Sequence, residues 1–304
     1  TVIPEFAKDA AHVTMLQRSP SYILALPNAD PQAEFLGRFL PARWVYRFAR
    51  TRNILLSLLL FRLSRAFPER VRKFLLGQVR KELGPLYDAR HFSPAYRPWD
   101  ERLCMVPDSD LFQALRKGRA SIVTDHIDTF TENGIRLQSG VELEADLIVT
   151  ATGLDIQALG GAELWVDGRP FDVSTKLCYK GLMFEDLPNF GMVFGYTNAS
   201  WTLKADLTLE YLCRLIRHMD RSGATQVTPR NHDPDLQARP FIDMQSGYIQ
   251  RAAGKLPHQG HRQPWRLHQN YGLDWMMLHL GRVDDGVLQF SGSGEKHMPA
   301  SATG

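Results

Sequence analysis

The stretch that most constrains this chain is its opening, "VIPEFAKDAAHVTMLQRSP", because it runs from helix to strand with no turn signal between them. Val2, Ile3, Phe6 and Ala10 recur at helical spacing and predict a helix over residues 1–11, with Pro4 in an early turn or at a kink. His12 to Gln17 then reads as a buried strand. It ends on Arg18-Ser19, and Pro20 and Pro27 mark the loop beyond.

Helix, strand and then Arg-Ser is the second half of a Rossmann βαβ unit. The end of the second strand in such a unit faces the adenosine ribose. An acidic residue there binds the ribose hydroxyls of NAD, and an arginine accommodates the 2′-phosphate of NADP. Arg18 offers a planar, permanent charge suited to phosphate, and Ser19 adds a hydroxyl. The plain alternative is an ordinary surface arginine.

Residues 32–83 read as mostly helical, rich in Leu, Phe and Arg, with breaks near Pro41 and Pro68 and an end at Gly84-Pro85. Within them Ile54 to Phe61 is strongly apolar but flanked by Arg50, Arg52, Arg62 and Arg65. A bilayer span needs about 20 apolar residues, so the run is either a buried helix or a basic, apolar helix lying on a membrane surface. A proline-braced loop precedes a short helix, Asp110 to Arg116, stopped by Gly118. The pattern then turns to strands separated by Glu132-Asn133-Gly134 and Gln138-Ser139-Gly140, which are hairpin signals. Ala145 to Thr150 reads as a buried strand feeding Ala151-Thr152-Gly153. Phe190 to Phe194 reads as another strand. Ser200 or Thr202 would cap the helix after it, with Leu203, Leu207, Tyr211, Leu215 and Ile216 on one face. The tail "SGSGEKHMPASATG" reads as disordered.

The chain has 304 residues, 44% hydrophobic and 23% charged, as expected of a globular soluble protein. A net charge of +3 lacks the basic footprint of a nucleic-acid binder. Cys104, Cys178 and Cys213 are odd in number and far apart, which suits a reducing cytosol rather than a disulfide framework or a zinc site. His258, His261 and His268 lack a convergent donor set, so no metal is expected. There is no P-loop, no HExxH and no GxSxG.

Three further features carry chemistry. Small residues at Ala151-Thr152-Gly153 let backbone approach a dinucleotide or another domain. Arg102 sits in the proline-braced loop, either as a held charge or as a salt-bridge partner of Asp100 or Glu101. The start of the helix in "GYTNASWTLK" could receive a negatively polarised group or be simple capping.

Taken together, "VTMLQRSPSY", "PWDERLCMVPDSDLFQALRKGRASIVTDHIDTF", "GIRLQSGVELEADLIVTATGLD", "LPNFGMVFGYTNASWTLKADLTLEYLCRLIRHMD" and "PWRLHQNY" resemble class B flavin-dependent monooxygenases. The likeness is to the Baeyer–Villiger branch, and within it to the ethionamide-activating type, over nearly the whole chain to about residue 285. The resemblance implies an α/β fold of two dinucleotide-binding, Rossmann-like domains, truncated here at the N-terminus. Residues 1–153 would be an incomplete NADPH-binding domain with a helical insertion at about 32–83. Residues 154–304 would be the C-terminal part of the FAD-binding domain plus a tail.

The resemblance also assigns roles. Arg18 and Ser19 match the motif that holds the NADP 2′-phosphate, and Arg102 matches the active-site arginine. Glu101 stands where many relatives have a lysine that also meets the phosphate. Ala151, Thr152 and Gly153 match the domain-linking segment. Asn198, Ala199, Ser200, Trp201, Thr202 and Leu203 match the segment beside the flavin ring and substrate. The implied cofactors are FAD and NADPH. The implied reaction inserts one oxygen atom of O₂ into a ketone, giving an ester, or into a sulfur compound, through a C4a-peroxyflavin whose charge Arg102 stabilises. No GxGxxG is present for either cofactor, so the chain alone is expected to bind both poorly and to work with a missing N-terminal half. A non-enzymatic remnant and a membrane-surface binding module are the alternatives. The expected location is cytoplasmic, with peripheral membrane contact under the last of these.

Overall fold

The computed structural model describes residues 2–101, 103–244 and 246–292. The chain divides into two compact units, Thr1–Gly153 and Leu154–Gly304. Arg102 and nearly all of the tail expected to be disordered lie outside the described residues.

The first unit opens with α1 (Val2–Asp9) and β1 (Val13–Gln17), continues with β2 (Ile23–Leu26), and then has three helices, α2 (Pro31–Gly37), α3 (Ala42–Ala66) and α4 (Pro68–Leu83). After the short α5 (Ala89–Phe92) come β3 (Cys104–Pro107), α6 (Asp110–Arg116) and β4 (Ala120–Thr124). A meander of β5 (Ile127–Phe130), β6 (Gly134–Leu137) and β7 (Glu142–Glu144) follows. β1 pairs in parallel with β4, Val13 opposite Ala120 through Gln17 opposite Thr124. β2 pairs in parallel with β3. Parallel neighbours need crossovers, and α2–α5 supply the one between β2 and β3. α4 anchors this crossover because Leu75, Val79 and Leu83 repeat every four residues and are buried against Tyr22, Ile23, Leu24 and Leu103.

The helix breaks at Pro41 and Pro68, the extent of α6 and both hairpin turns are as the sequence predicts. The helix expected over residues 1–11 is α1; its buried residues are Pro4 and Ala7, and Ala7, Ala114 and Ala120 are small enough to bring α1 close to α6 and β4. Two expectations in this unit are corrected. Ala145 to Thr150 is not a strand, and Leu147 is 79% exposed. No described strand lies beside this run to pair with it, so its backbone has no ladder to join. Ile54 to Phe61 is helical but not buried: Ser64 is the single buried residue of the 25-residue α3.

The second unit has two small antiparallel pairs, β8 (Leu164–Val166) with β9 (Arg169–Phe171) and β10 (Cys178–Tyr179) with β11 (Met183–Phe184). The 22-residue α7 (Trp201–Ser222) follows. β12 (Gln226–Pro229), β13 (Ala238–Pro240), α8 (Gly247–Ala252), β14 (His258–Gly260), α9 (Tyr271–Trp275) with a π-helical extension over Met276–Leu280, and β15 (Leu288–Ser291) complete it. β12 pairs with β15 and β13 with β14, both antiparallel. α7 buries Leu203, Leu207, Tyr211 and Leu215, one residue per turn, and the last three pack against Tyr179, Leu182, Val227, Trp265 and Leu278. Ile216, expected on this face, is exposed. α7 ends at Gly223, whose φ of 71° is the left-handed C-cap that glycine adopts without strain. Phe190 to Phe194 is not a strand; it runs extended, tied by the Met192 N–H to the Leu182 carbonyl at 2.8 Å.

Among the described residues no disulfide joins the three cysteines; Cys178 is buried, and burial pushes its thiol up to about 12, which leaves it unreactive. Among the described residues no helix is long and apolar enough to cross a membrane, and no group of three or more His, Cys, Asp or Glu could hold a metal ion. His261 Nδ1 accepts from the Gln237 N–H at 3.0 Å, and His268 meets the Gln263 side chain at 2.6 Å, so both work as local hydrogen-bond partners.

Candidate functional site

Arg18 and Ser19 emerge at the carboxyl end of β1, in a bend, and both are exposed. Ligands of open parallel sheets bind beyond the carboxyl ends of strands, so their placement suits a phosphate arriving from solvent. The residue before them is fixed. The Gln17 side-chain amide donates to the His91 carbonyl at 2.8 Å and to Thr124 Oγ1 at 2.9 Å. His91 Nδ1 lies 2.8 Å from the same Thr124 hydroxyl. This ties the ends of β1 and β4 to α5, so the backbone leading into Arg18 is held on both sides.

The charges nearby are committed elsewhere. Asp125 follows β4 and its N–H donates to the Gln17 carbonyl. Hydrogen bonds from Ser139 and from the His126 N–H hold its carboxyl below the usual carboxylate range, with the carboxylate engaged at the β6–β7 turn. Asp88 is lowered to about 2, chiefly by the hydrogen bond from the Arg90 side chain. An exposed guanidinium and a hydroxyl at the end of a braced parallel strand make a donor set that fits a phosphomonoester.

Arg102 lies outside the described residues, between Glu101 and the buried Leu103. Asp100, one of its two candidate salt-bridge partners, accepts from Arg65 at 2.7 Å and from the Arg97 N–H at 3.3 Å. Ala151, Thr152 and Gly153 are exposed and outside any helix or strand at the end of the first unit, and Gly153 has a φ of 110°, a conformation that favours glycine.

In the second unit the segment Asn198–Leu203 leads into α7. Ser200 is the N-cap by position but makes no capping bond to the helix backbone; its hydroxyl lies 2.9 Å from Thr202 Oγ1. The leading N–H groups of α7 therefore lack a side-chain cap. Gln269 grips the approach: its Oε1 accepts from the Thr197 N–H at 2.9 Å, and its carbonyl accepts from the Asn198 amide at 2.9 Å. The stretches "GYTNASWTLK" and "PWRLHQNY", remote in sequence, are thus joined. Gly195 is required here, because a Cβ on it would sit 2.2 Å from the Trp201 ring.

Beneath this segment Lys204 Nζ pairs with Asp274 Oδ2 at 3.0 Å, both fully buried. The Tyr196 hydroxyl donates to the same oxygen at 2.7 Å, and burial followed by the Asp274 charge raises its pKa. A second group joins the buried Tyr179, Tyr211 and Lys180 to Asp285. Tyr179 donates to Asp285 at 2.6 Å, and Lys180 Nζ lies 2.9 Å from the same carboxylate. Burial alone would raise the Asp285 pKa, but the bonds from Tyr179 and Lys180 hold it below the usual range. These pairs tie α7 to the strand–turn segment at 179–180 and to the chain near 274 and 285.

Sequence reasoning missed Gln17, His91, Thr124, Gln269 and the Lys204–Asp274 pair. Gln17, Thr124, Lys204 and Gln269 had a signal, since each sits within a stretch that carries the family resemblance; His91 and Asp274 had none.

No protein-family model matches the chain. Among curated relatives, a protein described as an FAD-containing monooxygenase, MymA of Mycobacterium tuberculosis, is 50% identical over 99% of this chain and 62% of its own length. The FAD-containing monooxygenase EthA of the same organism is 46% identical over 96% of this chain and 60% of its own. The FAD-binding monooxygenase AlmA of Acinetobacter baylyi is 46% identical over 95% and 59%. In fold, the chain matches OTEMO in an FAD-bound form with a TM-score of 0.63 at 14% identity, over 95% of this chain and 64% of that one. It matches a cyclohexanone monooxygenase variant from Rhodococcus bound to NADP⁺ with a TM-score of 0.62 at 17% identity, over 96% and 64%. Those structures have two dinucleotide-binding domains, and at such identities they speak for the fold alone. The chain spans about three fifths of the length of the curated relatives it matches. The likeness to these FAD-containing monooxygenases runs over nearly the whole chain, and its fold is that of the two-dinucleotide-domain structures it matches.

Proposed function

We propose that this chain is part of an NADPH- and FAD-dependent monooxygenase that inserts one oxygen atom of O₂ into a ketone, giving an ester, or into a sulfur compound. The observation that carries the reading is the 46–50% identity to FAD-containing monooxygenases over 96–99% of the chain. On this reading Thr1–Gly153 is NADPH-binding, with α2–α4 as its helical insertion, and the second unit is part of the FAD-binding domain.

When bound, the two cofactors supply hydride and oxygen activation. The chain's own residues supply position and field. Arg18 and Ser19 would hold the NADP 2′-phosphate by charge-assisted hydrogen bonds. Arg102 would place a permanent positive charge where negative charge gathers on oxygen, an effect that is strongest where water is excluded. Asn198–Leu203, held by Gln269, would line the flavin ring and the substrate, and Ala151–Gly153 would let backbone pass close by. A complete reaction needs phosphate-binding glycine turns, and this chain contains no GxGxxG. The test therefore uses protein of the relatives' full length. With NADPH, a ketone and O₂, the wild type should form ester. Arg102→Ala should lose ester formation while NADPH still bleaches the flavin. Ester formation by that variant at the wild-type rate would remove Arg102 from its role, and absence of flavin bleaching in the wild type would remove the reading itself.

A further inference from the structure

α3 is 25 residues long, and Ser64 is its single buried residue. Its exposure is not that of a polar helix. Trp44 is 53% exposed, Leu55 61% and Leu59 53%, and Phe48 is exposed beside them. At 3.6 residues per turn, Trp44, Phe48, Leu55 and Leu59 lie within about 60° of one another around the helix axis. Phe39, just ahead of α3, is 72% exposed and extends the same apolar surface in the chain. A soluble monomer rarely leaves so long an apolar stripe uncovered.

The charge on this segment has one sign. From Phe35 to Pro68 there are seven arginines and no Asp or Glu. Two of the seven are matched by carboxylates from outside the segment, Arg52 with Asp30 and Arg65 with Asp100. Arg38, Arg43, Arg47 and Arg62 have no carboxylate partner among the described residues. Arg43 and Arg47 flank Trp44, with guanidinium carbons 5.9 and 5.8 Å from its ring centroid. Such side chains lay apolar stems along a hydrophobic surface while their heads stay in water. Tryptophan beside arginine is the composition of a membrane–water boundary. Those same arginines keep α3 from spanning, since no described helix can cross a membrane.

We propose that α3, with the α2–α3 turn, is an interfacial helix that docks the protein on an anionic lipid surface. Trp44, Phe48, Leu55 and Leu59 enter the acyl boundary, and Arg38, Arg43, Arg47 and Arg62 meet the headgroups. The helix is held for this task from its far side: Arg65 pairs with Asp100, Phe61 packs edge-on against Trp99 at 5.9 Å, and the adjoining α4 is rooted in the core. A membrane-seated helix would bring the enzyme to apolar substrates dissolved in the lipid. The proposal stands apart from the cofactor reading, because its test involves neither flavin nor nicotinamide.

The test is sedimentation of the 304-residue chain with vesicles of phosphatidylglycerol and phosphatidylcholine in equal parts, or of phosphatidylcholine alone. The expected result is binding to the anionic vesicles at least tenfold tighter than to the neutral ones, weakened by 0.5 M salt. Each arginine near the surface is worth roughly fivefold, so Arg43→Gln with Arg47→Gln should weaken binding by about 25-fold. Leu55→Glu with Leu59→Glu should abolish it. Both pairs are exposed, so an unchanged circular dichroism spectrum should accompany the loss. Three outcomes overturn the proposal: no binding to anionic vesicles at low salt, equal binding to neutral ones, or a dimer in solution that the Leu55/Leu59 pair dissociates. Binding by this chain that disappears in protein of the relatives' full length also overturns it, since the stripe is then an internal interface.

Discussion

At the scale of single residues, the strongest commitments are the buried charges. Lys204 and Asp274 lie out of water, and breaking a buried pair by removing one partner leaves the other uncompensated, at a cost of ~3–5 kcal/mol. Lys204→Met should lower the unfolding free energy of the second unit by about that much. Lys204→Met combined with Asp274→Leu should recover most of it, as judged by urea unfolding followed through tryptophan fluorescence. If the single and double variants lose equal stability, the ion pair is not what orders this region. Arg18 is exposed, and under the proposed function its contribution would appear only with NADPH bound. A charge-assisted hydrogen bond is worth ~1.5–3 kcal/mol, so Arg18→Gln in the full-length protein should weaken NADPH by roughly ten- to a hundredfold. It should leave NADH nearly unchanged, as read from the cofactor dependence of flavin bleaching.

Residue-level legibility followed motif context. Arg18 and Ser19 could be placed because a strand end is a position with a meaning in a βαβ unit. Gln17, His91 and Thr124 could not be joined, since the hydrogen bonds between them cross 33 to 107 residues of chain. Lys204 and Asp274 are 70 residues apart in the chain, so their pairing had no local signal.

At the scale of elements, local chemistry was readable and pairing was not. Proline and glycine punctuate α2, α3, α4 and α6 where the structure ends them. The β5–β7 meander was legible from its turns, and Gly134 shows why: a Cβ there would lie 1.9 Å from the Leu143 carbonyl oxygen. Gly134→Ala must push β6 from β7 and should cost ~1–3 kcal/mol; faster amide exchange across the meander than in β1 is the expected observation, and unchanged exchange would contradict the close approach. The Asp167-Gly168 turn joining β8 and β9 has both residues at positive φ, 50° and 76°, the type I′ signature that a closer reading of the dipeptide would have found. Ala145 to Thr150 and Phe190 to Phe194 were misjudged for a common reason. Both have strand composition, but a strand exists only with a neighbour, and none of the described strands pairs with either. α3 was legible as a helix, yet its burial depended on what packs against it, which periodicity does not report.

At the scale of the whole molecule, each unit carries its own core, and its pH response follows from buried groups. His268 is held below its ordinary pKa mainly by burial, so the unfolded chain takes up its proton first as pH falls below about 6.5. Asp285 is lowered on folding, so its contribution is complete above about pH 4 and is lost as pH falls through its folded value. Both effects reduce stability on acidification, His268 first. His268→Gln should therefore flatten the loss of thermal stability between pH 7 and pH 5.5 relative to wild type, and an unaltered slope would contradict the assignment. The two-domain dinucleotide-binding fold was legible because several short stretches, each weak alone, agree with one family. The identity of the substrate was not, because none of the stretches that carry the resemblance specifies the shape of the molecule to be oxygenated.

The central claim is that this chain belongs to an enzyme that divides O₂ between product and water at the expense of NADPH. The direct measurement is mass spectrometry of the ester formed by full-length protein from an unlabelled ketone under ¹⁸O₂ with NADPH. The account predicts one ¹⁸O atom per ester molecule, with NADH a poor substitute. Ester free of ¹⁸O, or equal turnover with NADH, would contradict it.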